Sequence, residues 1–344
     1  MNAIISAVRS WAAELLAGWN RFWFTPADPA TLGLIRILAG AMLLYTHAVW
    51  SLDLQAFIGP TSWLPSVAVE TVQEGSYVWS YLWYLEGSPV LLWTAHIAGL
   101  VVFAMLTIGL FSRVSAVLAL FVALAYVGRL PGSLFGLDQT NCMLALYLAI
   151  SPCGDAYSVD RWLQSRKAGT VLPIRQSWTA NVAIRLIQVH MCIIYLFAGI
   201  AKLTGQAWWD GTALWMAFGN MEYQSMDMTW LAEWPRVINL MTHVTIAWEL
   251  SYMFLVWPRL SRPVVILLAI PLHMGIAICL GMVTFGLAML IGNLAFVSPW
   301  LVRRVFSRGH LEQSRGGEAA ASIPATKSAA KAPRGGTRAS SARR

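Results

Sequence analysis

Apolar positions run through this chain in long blocks rather than in strict alternation. Eight stretches come close to the roughly 20 mostly apolar residues that a membrane-spanning helix needs. They lie at about 31–50, 89–110, 114–130, 137–152, 181–203, 238–257, 262–281 and 283–301. The fourth is short, and little more than Gly281 separates the last two. Ahead of them Ile4, Val8, Trp11, Leu15, Trp19 and Phe22 recur at helical spacing, with Ser6, Arg9, Glu14 and Arg21 on much of the remaining surface. This predicts an amphipathic helix over 1–24, either lying in the membrane interface or packed on the bundle. Arg9, Glu14 and Arg21 also interrupt any short apolar core, so the segment does not read as a cleaved signal peptide.

Composition agrees with the pattern. The chain of 344 residues is 58% hydrophobic and 12% charged, against about 25% charged in a soluble domain. That excludes an ordinary water-soluble protein and a disordered one. The net charge of +8 resides in the tail: from Arg303 onward there are ten basic and two acidic residues, and the rest of the chain holds 14 of each. Residues after about 309 are mostly Ala, Gly, Ser, Arg and Lys, a composition that predicts disorder. A basic tail beside anionic lipid gains roughly 1 kcal/mol per Lys or Arg near the surface. Anionic lipid, not nucleic acid, is therefore the expected partner of the tail. Three segments follow: an interfacial helix over 1–24, a transmembrane domain over 25–305 and a basic tail over 306–344.

Charge sorting between the apolar blocks predicts orientation. The 51–88 segment carries Asp53, Glu70, Glu74 and Glu86 with no Lys or Arg, and 204–237 carries four acidic residues against Arg236. Arg113, then Arg161, Arg166, Lys167 and Arg175, then Arg259 and Arg262 fall on the opposite side, with the basic tail. The expectation is an all-α integral membrane protein of the cytoplasmic (inner) membrane. It is a bundle of about eight transmembrane helices with both termini in the cytoplasm. Eight of the 18 tryptophans lie in the two acidic outer segments, and Trp50 at the edge of the first makes nine. They form either an interfacial aromatic belt or a hydrophobic lid over an outward-facing cavity.

Ionisable groups inside apolar spans are costly unless paired or facing water. Here they are Arg36, His47, His96, Arg185, His190, Lys202, His243, Glu249 and His273. For Glu249 the first expectation is a structural ion pair with Arg36 or Arg185. No two histidines stand four apart with a carboxylate between them, so no metal site is predicted. The four cysteines have no metal-type spacing and read as small hydrophobic side chains. No P-loop, HExxH, GxSxG or dinucleotide fingerprint occurs.

The fifth span differs from the others. Arg185, Gln188, Tyr195 and Lys202 are spaced three, seven and seven apart. A seven-residue step returns to within about 20° on a helix, so these side chains share one face. Two readings stay open. The stripe makes inter-helix hydrogen bonds and Lys202 snorkels outward, or Lys202 faces a cavity in which desolvation leaves a neutral amine that can act as a base.

The string YLFAGIAKLTGQAWWDG (195–211) is where the chain becomes recognisable. It resembles the Y-x-x-AG-x-x-KL…W-x-x-G segment of the horizontally transferred transmembrane (HTTM) domain family, which includes the vitamin K-dependent γ-carboxylase. Three further stretches agree in order: 137–163 ending in Ser158-Val159-Asp160, 247–263 carrying Glu249, and 273–290 opening on His273 and followed by Ser298-Pro299-Trp300. The resemblance covers about 25–305. It implies a quinol-oxidising membrane enzyme in which a lysine, here Lys202, is base toward reduced vitamin K. Oxygenation then yields an epoxide and an alkoxide strong enough to remove a γ-proton from a peptide Glu, to which CO2 adds, a lyase- or ligase-like outcome. It implies His273 as a second catalytic group and Tyr195, Trp208, Trp209, Asn141 and Glu249 as substrate contacts. A reduced quinone, O2 and CO2 are the implied cofactors, and a lipid-soluble small molecule is the implied partner. Two departures bear on this. The family enzyme's Asn-Asn-His run is replaced by Asp138-Gln139-Thr140-Asn141-Cys142, and a cytoplasmic tail is expected after the spans in place of the family enzyme's large luminal region. The oxygenation half is expected to survive better than carboxylation. The competing expectation is a non-catalytic membrane subunit, an immunity or partner-binding protein that keeps the fold.

Overall fold

A computed structural model of the chain describes residues 2–306. The expected disorder and lipid contacts of the tail beyond about 309 lie outside these described residues. Among them there is no β-strand beyond an isolated antiparallel bridge between Ala27 and Ser177. Ten α-helices of ten or more residues carry the architecture. They are α1 (Asn2–Phe24), α2 (Ala30–Trp50), α3 (Pro89–Ile108), α4 (Ser112–Arg129), α5 (Gly136–Ala149), α6 (Val159–Ala168), α7 (Trp178–Leu203), α8 (Pro235–Leu255), α9 (Arg262–Cys279) and α10 (Val283–Asn293).

Five of these, α2, α3, α4, α7 and α9, are long and apolar enough to cross a membrane. A sixth span results if the bent pair Val283–Phe296 and Pro299–Phe306 counts as one. Each of the eight expected stretches is helical, but three fall short on their own. At 1.5 Å per residue, the 14 residues of α5 and the 11 of α10 reach roughly 21 and 16 Å, against about 30 Å of hydrocarbon. Helix α8 has 21 residues but includes Arg236, His243 and Glu249, and it misses the apolarity standard that the five meet.

The two short helices occupy the middle. Helices α5 and α10 touch each other, and both touch α2 and α7. Around them α2, α3, α4 and α5 pack in chain order, as do α7 with α8 and α9 with α10. Small buried residues on α4, Ala116, Ala119, Ala123 and Ala125, let its neighbours come close, and Tyr126 on α4 bonds His96 on α3.

Local sequence explains the helix ends. Ser88 and Ser177 cap α3 and α7 by accepting from the amides of Leu91 and Ala180, and Pro235 opens α8 where a missing N–H costs nothing. The Ser-Val-Asp loop has a structural task. Ser158 caps α6, and Asp160 accepts from the amides of Phe111 (2.8 Å) and Ser112 (2.7 Å) and from the Ser112 hydroxyl (2.7 Å). It therefore ties the α3–α4 turn to α6. Arg36, fully buried on α2, donates to the Cys153 and Tyr157 carbonyls of the same region.

Along α1, Ile4, Val8, Trp11, Leu15 and Trp19 are exposed. The helix is tied to the bundle at its C-terminal end, where Asn181 donates to the Phe22 and Trp23 carbonyls and the Arg185 guanidinium lies 4.4 Å over the Phe22 ring.

Candidate functional site

The polar face of α7 turns inward, and each member of its stripe finds a partner on another element or on the same face. Arg185 donates to Gln188 (2.9 Å), and Gln188 donates to the Ala295 carbonyl (2.7 Å). Two turns on, the Tyr195 hydroxyl lies 2.7 Å from His273 Nε2 on α9 and accepts from Asn293 Nδ2 at 2.7 Å. Two further turns on, Lys202 Nζ sits 3.0 Å from Glu249 Oε1 and 2.8 Å from Oε2. Lys202 does not extend to water as a snorkelling lysine would. Its side chain is 23% exposed and that of Glu249 12%.

The expected pairing of Glu249 with Arg36 or Arg185 is thus corrected. Periodicity places Glu249 on a face of α8 but cannot say which neighbour that face meets. The neighbour is α7, and Gly199 is the reason the two helices come so close. A Cβ at Gly199 would stand 2.9 Å from Leu250 Cδ2 and 3.3 Å from Glu249 Cβ. The two arginines bond elsewhere, Arg36 to loop carbonyls and Arg185 to Gln188, the Phe22 carbonyl and the faces of Phe22 and Trp257.

Aromatic rings enclose the centre of the stripe. Trp248, Tyr252 and His273 lie 4.7, 4.3 and 5.8 Å from the Tyr195 ring. Tyr252 donates to Asn293 Oδ1 at 2.7 Å. Tyr195, Tyr252, His273 and Asn293 are all buried, so this is a dry polar network in which each hydrogen bond is worth more than in water. At the Lys202 end the ammonium lies 5.3 Å from the Trp208 ring, a cation–π contact.

A family model describing the HTTM domain matches residues 24–300. The chain belongs to the HTTM domain family. Searches of curated proteins and of solved structures find no match. The matched span ends within a few residues of the expected 25–305. With the apolar helices, it makes this a multi-pass HTTM membrane protein.

Within the HTTM domain the expected site residues divide into two groups. Lys202, Glu249, Tyr195 and His273 come together along α7, α8 and α9, with Trp208 reaching Lys202 from the short turn Gln206–Trp209 that follows α7. Trp209 is adjacent in sequence but 61% exposed, and its indole N–H donates to the Leu203 carbonyl. Asn141 lies apart. It lines a narrow cavity of about 20 Å³ between α2, α4 and α5 with His47, Tyr126, Asp138 and Cys142, room for about one water molecule. None of its lining residues belongs to the Lys202 group, and Asn141 Oδ1 has no partner there. Six of the nine outer-segment tryptophans are exposed: Trp63, Trp79, Trp209, Trp215, Trp230 and Trp234. Trp208 is the one of the nine whose ring lies against Lys202, so the arrangement resembles a belt more than a lid.

Three relevant residues escaped the reading of the sequence. Asn293, a lone amide in the apolar string Leu290-Ile291-Gly292-Asn293-Leu294, was detectable by extending to uncharged polar groups the rule that singled out His273. Tyr252 stands three residues from Glu249 and shares its face. Arg129, fully buried at the end of α4, pairs with Glu86 at 3.1 Å and donates to Ser62. It resembled a residue at a span end, and its partners are more than 40 positions away.

Proposed function

We propose that this HTTM protein is a membrane enzyme that accepts a proton from the hydroxyl of a reduced quinone or similar lipid-soluble substrate, with Lys202 and Glu249 acting as one unit. The observation that carries this reading is the half-buried Lys202–Glu249 pair, placed beside the Trp208 ring. In an ion pair the amine already holds its proton, so a lone neutral lysine is not the acceptor. Removing water changes the balance. Two separated charges in low dielectric lose their hydration, and proton transfer from ammonium to carboxylate gives a neutral pair that is cheaper to bury. A substrate that covers the pair therefore creates the amine base, with Glu249 storing the displaced proton. A reduced quinone would supply the oxidisable ring hydroxyl, and O2 the oxidant. Tyr195, Trp248 and Trp208 would present ring faces to its flat body. Carboxylation with CO2 is the less supported half, because Asn141 lies outside this group.

The topology that suits this chemistry has eight spans, with α5, α8 and α10 completed by their flanking residues. Both termini lie in the cytoplasm and the Lys202 end faces outward. The membrane is the inner one, α1 lies in its interface, and the basic tail meets anionic lipid. A second reading is favoured by the same pair. As a tie between α7 and α8, Lys202–Glu249 equally suits a non-catalytic subunit that binds a partner protein.

Membranes containing the protein, a reduced naphthoquinone and O2 should yield quinone epoxide detectable by mass spectrometry, with the yield abolished in Lys202→Ala. Equal yields from both proteins would remove Lys202 from the chemistry.

A further inference from the structure

One buried nitrogen in the site has no partner, and the bonds around it determine what it carries. A backbone carbonyl can only accept. Asn293 Nδ2 lies 2.9 Å from the Met289 carbonyl oxygen, so that amide atom must be the nitrogen. This settles the orientation of the Asn293 side chain, a choice that X-ray density alone often leaves open. Tyr252 agrees, since its hydroxyl donates to Oδ1 on the other side. The second Nδ2 hydrogen goes to the Tyr195 oxygen at 2.7 Å. The Tyr195 hydroxyl has a single hydrogen, and its remaining neighbour is His273 Nε2 at 2.7 Å. Were Nε2–H to donate instead, the buried Tyr195 hydrogen and Nδ1 would both lack partners, whereas a Tyr195 donor leaves only one group unpaired, so Tyr195 donates and Nε2 accepts. A neutral imidazole that accepts at Nε2 carries its proton on Nδ1.

That Nδ1–H has no hydrogen-bond partner and is shielded from solvent. The contrast with other helical histidines is sharp. His47 and His243 turn Nδ1 onto the carbonyl four residues back, Leu43 at 2.8 Å and Asn239 at 2.9 Å. His190 uses Nδ1 on the Tyr147 hydroxyl, and His96 uses both ring nitrogens, on Ser51 and Tyr126. Among the described residues, His273 Nδ1 is the one shielded histidine nitrogen without a partner. A buried donor left unpaired is costly, and here it is held in place by a chain of three side chains. Its surround is aromatic: Trp248 and Phe285 lie 6.3 Å from the His273 ring, with Tyr195 at 5.8 Å.

We infer that His273 is a fixed hydrogen-bond donor, through Nδ1–H, to an acceptor oxygen on a flat aromatic ligand, a carbonyl or ring oxygen of the quinone class. Asn293 and Tyr195 are positioning residues that hold the required tautomer. This assigns His273 a role other than proton acceptor, and it rests on the proposed function for the ligand class but not for the tautomer.

The test has two arms on the full-length protein in lipid bilayers. In the first, ¹⁵N-histidine NMR reads which His273 nitrogen is protonated, the signal being assigned by its loss in His273→Gln. The expected result is Nδ1–H in the wild type, with Nε2–H appearing in Tyr195→Phe and in Asn293→Leu. Nε2–H in the wild type overturns the inference. In the second arm, binding of menadione is measured by quenching of tryptophan fluorescence. An asparagine amide reaches the Nδ1 position and a glutamine amide the Nε2 position. His273→Asn should therefore bind within a few-fold of wild type, and His273→Gln and His273→Ala roughly tenfold more weakly, the worth of about one buried hydrogen bond. Equal loss in Asn and Gln variants overturns the donor role. Both arms succeeding while Lys202→Ala keeps full turnover would sink the proposed enzyme function and leave this inference standing.

Discussion

Removing the Lys202–Glu249 pair should loosen the contact between α7 and α8 by a measurable amount. Exposed ion pairs contribute about 0–1 kcal/mol, and breaking a buried pair costs about 3–5 kcal/mol. With 23% and 12% side-chain exposure and both carboxylate oxygens within 3.0 Å of Nζ, this pair lies between those limits. About 2 kcal/mol is the expected loss for Lys202→Ala or for Glu249→Ala. A single substitution mixes the lost attraction with the cost of a stranded charge, so the informative quantity is the coupling in a double-mutant cycle. Wild type, the two single variants and the double variant would be unfolded in detergent, followed by tryptophan fluorescence. The double variant should lose little more than either single one, giving a coupling of about 1–2 kcal/mol. Additive losses with coupling under about 0.3 kcal/mol would refute the reasoning, because they would mean that the two side chains meet without holding the helices.

Other consequences can be checked separately. Gly286→Ala puts a Cβ 2.5 Å from the His273 carbonyl oxygen, so backbone must move. A loss of about 1–3 kcal/mol is expected, and unchanged thermal stability contradicts the packing. Asp160→Ala removes three bonds from the α3–α4 turn and should cost about 1–2 kcal/mol in the same unfolding assay. A neutral result would mean the Ser-Val-Asp loop has another task. In the 204–237 segment, the Thr229 amide and hydroxyl bond to Asp227 and hold its carboxyl below the usual range. A lowered folded-state value stabilises above the unfolded value and loses that contribution as pH falls through the folded one. Thr229→Ala keeps the amide bond and removes the hydroxyl one, so it should raise the Asp227 titration part of the way in an NMR pH series, and an unmoved titration would show that the hydroxyl contributes nothing.

The helical membrane character was legible because apolar runs and loop charges are properties of local sequence, and so was the face joining Arg185, Gln188, Tyr195 and Lys202. What lay across from that face was not legible. Glu249, His273, Asn293 and the Ala295 carbonyl come from other helices, and a period of 3.6 says nothing about neighbours. Asn141 shows the same limit from the other side: its position in the family-like stretch placed it in the site, while α5 directs it to a different cavity. Arg36 was expected near a carboxylate and instead uses loop carbonyls, which no residue type announces. The match over 24–300 supports the domain as a whole without settling such contacts.

Turnover by the charge-swapped protein, Lys202→Glu with Glu249→Lys, tests the central claim most directly. The swap preserves an ion pair between α7 and α8, so the fold should persist, as circular dichroism and unfolding can verify. If Lys202 and Glu249 carry out the proton transfer, the displaced amine no longer meets the substrate hydroxyl, and epoxide formation from a reduced naphthoquinone should fall to background. Wild-type epoxide yield from the folded, swapped protein would contradict the account and leave the pair as a helix tie alone.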